Sequence, residues 1–223
     1  MDAHPAFPGE SGSLQLPGPA GRLELMVDLP EPGQERTGVA VICHPSPPDG
    51  GSLHNKVVAM AARALSELGL AAVRFNFRGV GQSEGSFDEG RGETLDLLAV
   101  TDWVRKTRPD DALWLAGFSF GSWVALQGAR HLPVKQMISI APPVGLRPFA
   151  GVLPPPCPWL VVMGETDDLV DPQAVYAWID SLTDKPTLVR MPDTGHFFHR
   201  RLMDLRGAIK NGVRKNLPPP RHG

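Results

Sequence analysis

Cysteine is scarce in this 223-residue chain, which has only Cys43 and Cys157. Neither lies in a C-x-x-C pair. Two thiols in a chain this long make no disulfide framework, which excludes the small stapled scaffolds and suits free thiols in a reducing compartment. A charge surplus is also missing. The formal net charge is −2, whereas nucleic-acid binders usually carry a basic excess, so no nucleic-acid partner is expected. No apolar stretch is long enough to cross a bilayer. The opening MDAHPAFPGESGS lacks the positive and apolar regions of a secretory signal. The expectation is a cytoplasmic protein without membrane association. No repeat recurs at a fixed period, and residues 117–121 carry neither G-x-x-x-x-G-K-[ST] nor G-x-G-x-x-G, which argues against a phosphate cradle. No metal-ligating cluster stands out, so neither metal nor cofactor is expected.

What is present is an alternation. RLELMVDLP reads as a strand. Short apolar runs follow it at 39–43 (VAVIC), 71–77 (AAVRFNF), 113–117 (LWLAG), 136–140 (QMISI), 159–163 (WLVVM) and 187–190 (TLVR). Bounded by Gly, Pro and Asp, they read as buried strands of a parallel sheet. Helical spacing falls between them: Val57, Ala61, Ala64, Leu65 and Leu68; Leu95, Ala99 and Trp103; Val175, Trp178, Ile179 and Leu182; Leu202, Leu205, Ile209 and Val213. Strands alternating with helices predict an α/β fold, with ligands at the carboxyl ends of the strands. Residues 1–20, rich in Pro, Gly and Ser, are expected to be loosely ordered. Residues 21–215 are expected to form one domain, and 216–223 a flexible tail.

One junction carries chemistry. GFSFG (117–121) sits between LWLA and WVAL. A serine on a sharp strand-to-helix turn presents its hydroxyl at the sheet edge, and the residues two before and two after must be small. The bland alternative, a tight turn that merely needs small residues, does not explain the apolar strand and helix on either side. Ser119 is therefore the candidate nucleophile, and the helix starting near Phe120 aims its amino end at the site. A serine needs a base. His196, in MPDTGHFF after the last apolar run, is placed to be one, whereas His44, His54 and His199 read as structural or solvated. The base needs an acid. WLVVMGETDDLVDP offers Asp167, Asp168 and Asp171. Asp171, before Pro172, looks like a helix N-cap, which leaves Asp167 and Asp168.

GFSFG, GETDDLVDP and DTGHFF in this order resemble the α/β-hydrolase superfamily. ICHPSPPDGGSLHNKVV and RFNFRGVGQSEGSFDEGRGE resemble a group of small lidless bacterial hydrolases related to dienelactone hydrolases. The resemblance covers roughly residues 20–215. It implies an α/β-hydrolase fold, a mostly parallel eight-stranded sheet with helices on both faces and no cap domain. It implies Ser119 as nucleophile, His196 as base and, from a G-x-x-D-x-x-V frame matched by Gly164, Asp167 and Val170, Asp167 as the acid with Asp168 in reserve. The oxyanion hole would use the backbone N–H of Phe120 and one from HPSPP, where proline leaves only Ser46 as a donor. RFNFRGVGQSEG, with Asn76 where Asp is common, would be a structural loop pinned by Arg78. A cap inserted at 141–158 is not expected, because that stretch is short, rich in proline and without helical period. Trp123, Phe120, Phe149, Phe197 and Phe198 are candidates to line an open cleft, with core packing the rival reading.

The expected function is a serine hydrolase acting on carboxylic esters or thioesters of small to medium acyl groups, its partner being that small-molecule substrate. An acyltransferase or peptidase on the same triad is the alternative. A non-catalytic binding protein would show a missing triad member, and none is missing. Composition leaves the oligomeric state open.

Overall fold

The apolar runs become one eight-stranded sheet in the computed structural model, which describes residues 4–221. The strands are β1 (Gly12–Gly18), β2 (Gly21–Asp28), β3 (Gly38–Cys43), β4 (Ala71–Phe75), β5 (Ala112–Phe118), β6 (Val134–Ile140), β7 (Trp159–Gly164) and β8 (Thr187–Met191). Their order is β1-β2-β4-β3-β5-β6-β7-β8. β2 pairs antiparallel with β1 and β4, and every other pairing is parallel. β3, β4 and β7 are buried along their whole length, because helices cover both faces. That is why they read as unbroken apolar runs. β2, nearer the edge, alternates between buried and partly exposed residues.

The α-helices among the described residues are α1 (Lys56–Glu67), α2 (Arg91–Thr107), α3 (Phe120–Ala129), α4 (Pro172–Ser181) and α5 (Leu202–Val213). α1 packs against α5, and α2 against α3. Asn55 caps α1 by accepting the N–H groups of Val57 and Val58, and Asp171 caps α4 by accepting that of Gln173. The predicted face of α2 is corrected. Leu95 is exposed, and the buried stripe is Leu97, Val100, Trp103 and Val104 together with Glu93 and Asp96. Two buried carboxylates on that stripe hid the apolar period. Glu93 accepts the N–H groups of Asp88 and Gly90, and Asp96 pairs with Arg78 at 2.8 Å.

Both chain ends depart from the loose segments expected of them. GSLQLPG is strand β1, in full register with β2. Its proline and glycines suit an edge strand and conceal it from pattern reading. Upstream, the Pro5 carbonyl accepts the Trp103 indole N–H at 2.7 Å, and Phe7 stacks on the Trp103 ring at 5.2 Å. The Arg108 guanidinium lies 4.7 Å above the Phe7 ring. At the other end the Pro219 carbonyl accepts the Thr37 N–H, and Arg221 donates to Glu35. Proline is poor helix and sheet material, but its carbonyls still accept. Residues 1–3 and 222–223, on which parts of these two expectations fall, lie outside the described residues.

Because the Phe7 ring joins Trp103 to Arg108, Phe7→Ala should destabilise the fold by about 1–2 kcal/mol, as aromatic and cation–π contacts go with the buried ring area. Urea unfolding at constant slope would measure it. An unchanged midpoint would mean that this segment adds nothing.

Candidate active site

The parallel strands bring four loops to one end of the sheet. Cys43 at the end of β3 pairs with Gly117 of β5, so the loop from His44 onward stands beside the Ser119 turn. Gly164 pairs with Met191, so the loops after β7 and β8 rise together.

Ser119 sits between β5 and α3 at φ 53° and ψ −123°, a left-handed conformation that costs a non-glycine residue on the order of 1–3 kcal/mol. It is held from both sides. The Ser119 N–H donates to the Ile140 carbonyl at 2.8 Å, and the Ser119 carbonyl accepts the backbone N–H and the hydroxyl of Ser122. The two glycines have steric reasons. A Cβ on Gly117 would strike the Gly121 carbonyl, and one on Gly121 would strike the carbonyls of Cys43 and His44. The turn is thus wedged between β3 and its own helix.

His196 and Asp167 are brought together. Nδ1 of His196 lies 2.7 Å from Oδ2 of Asp167, and both side chains are almost wholly buried. The other oxygen, Oδ1, accepts the N–H groups of Leu169 at 2.9 Å and Val170 at 2.8 Å. Three hydrogen bonds fix this carboxylate, and Nε2 of His196 meets no hydrogen-bond partner among the described residues. Asp168 is exposed and takes no part, and Asp171 is the α4 cap. The imidazole packs against the Phe118 ring at 5.1 Å and edge-to-face with Phe197 at 5.0 Å. Ser119 and His196 line the same cleft without a hydrogen bond between them, a spacing that free enzymes commonly close on binding substrate.

Ser46 and Phe120, the residues expected to supply backbone N–H donors, both line this cleft. Phe120 opens α3, so its N–H is among those with no intrahelical acceptor. Ser46 lines the cleft and folds its own loop, its carbonyl accepting the N–H groups of Asp49 and Gly51. Among the described residues the Ser46 N–H meets no acceptor.

The cleft measures about 560 Å³. Phe120 and Phe197 line it, with Pro143, Leu146 and Leu169, while Trp123, Phe149 and Phe198 are buried in the core. The stretch 141–158 contains no helix and forms part of the wall. The Trp123 indole N–H donates to the Pro148 carbonyl, and Phe149 packs edge-on to Trp178.

Of the two readings for His44, structural or solvated, the structure shows the first. It is fully buried under the loop that carries Ser46. Its Nδ1 donates to the Pro45 carbonyl at 2.7 Å and its Nε2 accepts the Phe77 N–H at 3.1 Å, which fixes a neutral tautomer. Asn76 adds a second tie, accepting the Leu53 N–H and donating to Glu24. The placement of His44 directly before a proline-rich turn was the only sequence signal. Among the described residues no group of three or more His, Cys, Asp or Glu side chains is arranged to hold a metal ion, and no helix is long and apolar enough to cross a membrane.

Residues 21–150 match the family described as X-Pro dipeptidyl-peptidase (S15 family), part of the α/β-hydrolase superfamily. The chain is 58% identical to XC6422 from Xanthomonas campestris, an α/β serine hydrolase without lid, over 98% of this chain and 100% of that one, with a TM-score of 0.94. An α/β serine hydrolase homologue from Coxiella burnetii is 42% identical over 94% and 99% of the two chains, with a TM-score of 0.89. An uncharacterised protein of Rickettsia prowazekii, RP471, is 31% identical over 204 residues, 87% of this chain and 85% of that one. The chain belongs to the lidless α/β serine hydrolases.

Burial holds the His44 imidazole down at about 4, against an ordinary value of 6.5, with the Pro45 carbonyl opposing the shift. Between those values the unfolded chain binds a proton that the native state refuses. Stability should therefore be complete above pH 6.5 and fall as the pH is lowered toward 4. Imidazole NMR should find His44 neutral at about pH 5. Titration together with an exposed histidine would contradict this account of the loop.

Proposed function

We propose that this serine hydrolase cleaves carboxylic esters or thioesters of small to medium acyl groups through Ser119, His196 and Asp167. The observation that carries the reading is the buried Asp167–His196 pair opening into the cleft that also holds the strained Ser119.

His196 Nε2 takes the proton of the Ser119 hydroxyl as Oγ attacks the ester carbonyl. Asp167 holds Nδ1–H and stabilises the imidazolium. The carbonyl oxygen becomes an oxyanion and accepts the N–H groups of Phe120 and Ser46. The tetrahedral adduct collapses, its bond to the alcohol or thiol breaks, and His196 returns the proton to the leaving group. Water then enters, gives a proton to His196 and attacks the acyl-enzyme. Collapse of the second adduct releases the acid, and the proton returns to Ser119. Serine, histidine and carboxylate suffice for these steps.

Chain length follows from the walls. Leu146, Leu169 and Phe197 give an acyl chain surface to touch, but all three are also exposed at the rim. Each methylene adds about 0.8 kcal/mol only while wall remains for it. The S15 family description favours a second reading, amide cleavage, although that match ends at residue 150, before Asp167 and His196. A p-nitroanilide turned over faster than the matching p-nitrophenyl ester would support it.

Two outcomes are expected. Across p-nitrophenyl esters from acetate to palmitate, kcat/KM should rise over the first few carbons and then fall; a steady climb to palmitate would contradict an open cleft. Against the best of these esters, Ser119→Ala should lose on the order of 10⁶ in rate. Asp167→Asn should lose on the order of 10⁴, and Asp168→Asn should stay near the parent chain. A reversal of the two aspartates would remove Asp167 from its role.

A further inference from the structure

The cleft holds a charged group that the proposed chemistry does not use. Arg147 is the one Lys or Arg along its lining among the described residues. Its guanidinium carbon lies 5.0 Å from the centroid of the Phe120 ring and 5.7 Å from that of Trp123. Cation–π attraction to two rings holds the guanidinium at this wall. The backbone beneath is tied as well. The Arg147 N–H donates to the Pro143 carbonyl at 3.1 Å, and the next residue, Pro148, accepts the Trp123 indole at 3.1 Å. Arg147 is thus presented by a fixed wall.

Its partner at the surface is Glu89, with Nη1 3.2 Å from Oε2. The Glu89 side chain is 65% exposed, so water screens that pair. Nε and Nη2 of Arg147 meet no protein acceptor among the described residues. The ring beneath the guanidinium belongs to Phe120, whose N–H faces the proposed oxyanion. The cation therefore lines the same cleft as Ser119 and His196.

We propose that Arg147 selects substrates that carry a carboxylate a few carbons from the scissile ester. The number of charges decides for a carboxylate over a phosphate dianion. A single guanidinium, already shared with Glu89 and facing a cleft whose lining also includes Asp49, balances one negative charge and not two. The fork of N–H donors matches a carboxylate in plane.

The proposal rests on the ester-hydrolase reading for its meaning, so its test is made on binding, without turnover. Ser119→Ala protein is titrated with monomethyl glutarate and with dimethyl glutarate, ligands of nearly equal shape that differ by one charge, and followed by NMR. The monoester should bind tighter by about tenfold or more, the scale of one charge-assisted hydrogen-bonded contact. Adding Arg147→Gln should bring the two ligands to within about twofold, and Arg147→Lys should keep part of the preference. Glu89→Gln removes the competing acceptor and should preserve or enlarge the preference, which tests the same contact with Arg147 intact. Equal affinities in Ser119→Ala, no binding of the monoester, or a preference untouched by Arg147→Gln would overturn the proposal. If the parent chain hydrolysed no ester, that would count against the proposed function and leave this binding comparison to stand or fall by itself.

Discussion

The left-handed backbone at Ser119 is the constraint on which the rest of the site depends. A serine at φ 53° holds only where neighbours leave it no alternative. Here Ile140 takes its N–H, Ser122 donates twice to its carbonyl, and the glycines at 117 and 121 let β3, β5 and α3 approach closely enough to clamp the turn. The central sheet position supplies the rigidity. β5 is flanked on both sides by parallel strands, and α3 begins at the residue after Ser119. Ser119 and Phe120 both line the cleft as a result.

The sheet arranges the remaining parts around this turn by register. Cys43 opposite Gly117 brings the Ser46 loop alongside, and buried neutral His44 holds that loop to the end of β4 through Phe77. Gly164 opposite Met191 brings Asp167 to His196. Each functional side chain comes from a different loop, but each loop leaves a strand that the core holds still. The proline-rich stretch at 141–158 completes the cleft as a wall pinned by Trp123 and Trp178, with Arg147 among its lining residues.

Much of this was legible in the sequence because the signals were local. The strands around Ser119 are buried on both faces and read as apolar runs, and the G-x-S-x-G spacing reflects a steric rule. The choice of Asp167 over Asp168 was not local. Residues alone left both open; the structure separates them because Oδ1 of Asp167 turns back onto Leu169 and Val170, while Asp168 points to water. Strand β1 was missed because Pro17 and its glycines carry turn propensity, and tertiary pairing with β2 overrides it. The face of α2 was misread because Glu93 and Asp96 are buried, satisfied by backbone N–H groups and by Arg78, so polarity no longer marked the outside. Arg147 lay in a segment without periodicity, and its position over Phe120 exists only in the folded chain.

The central claim is that the hydroxyl of Ser119 is the nucleophile. Its most direct measurement is covalent. The folded chain is treated with a fluorophosphonate and digested, and the adduct is located by peptide mass spectrometry. A single phosphonyl group on Ser119, absent when the chain is first acid-unfolded, is the predicted result. A stoichiometric adduct on another side chain, or none on the folded protein, would contradict the account.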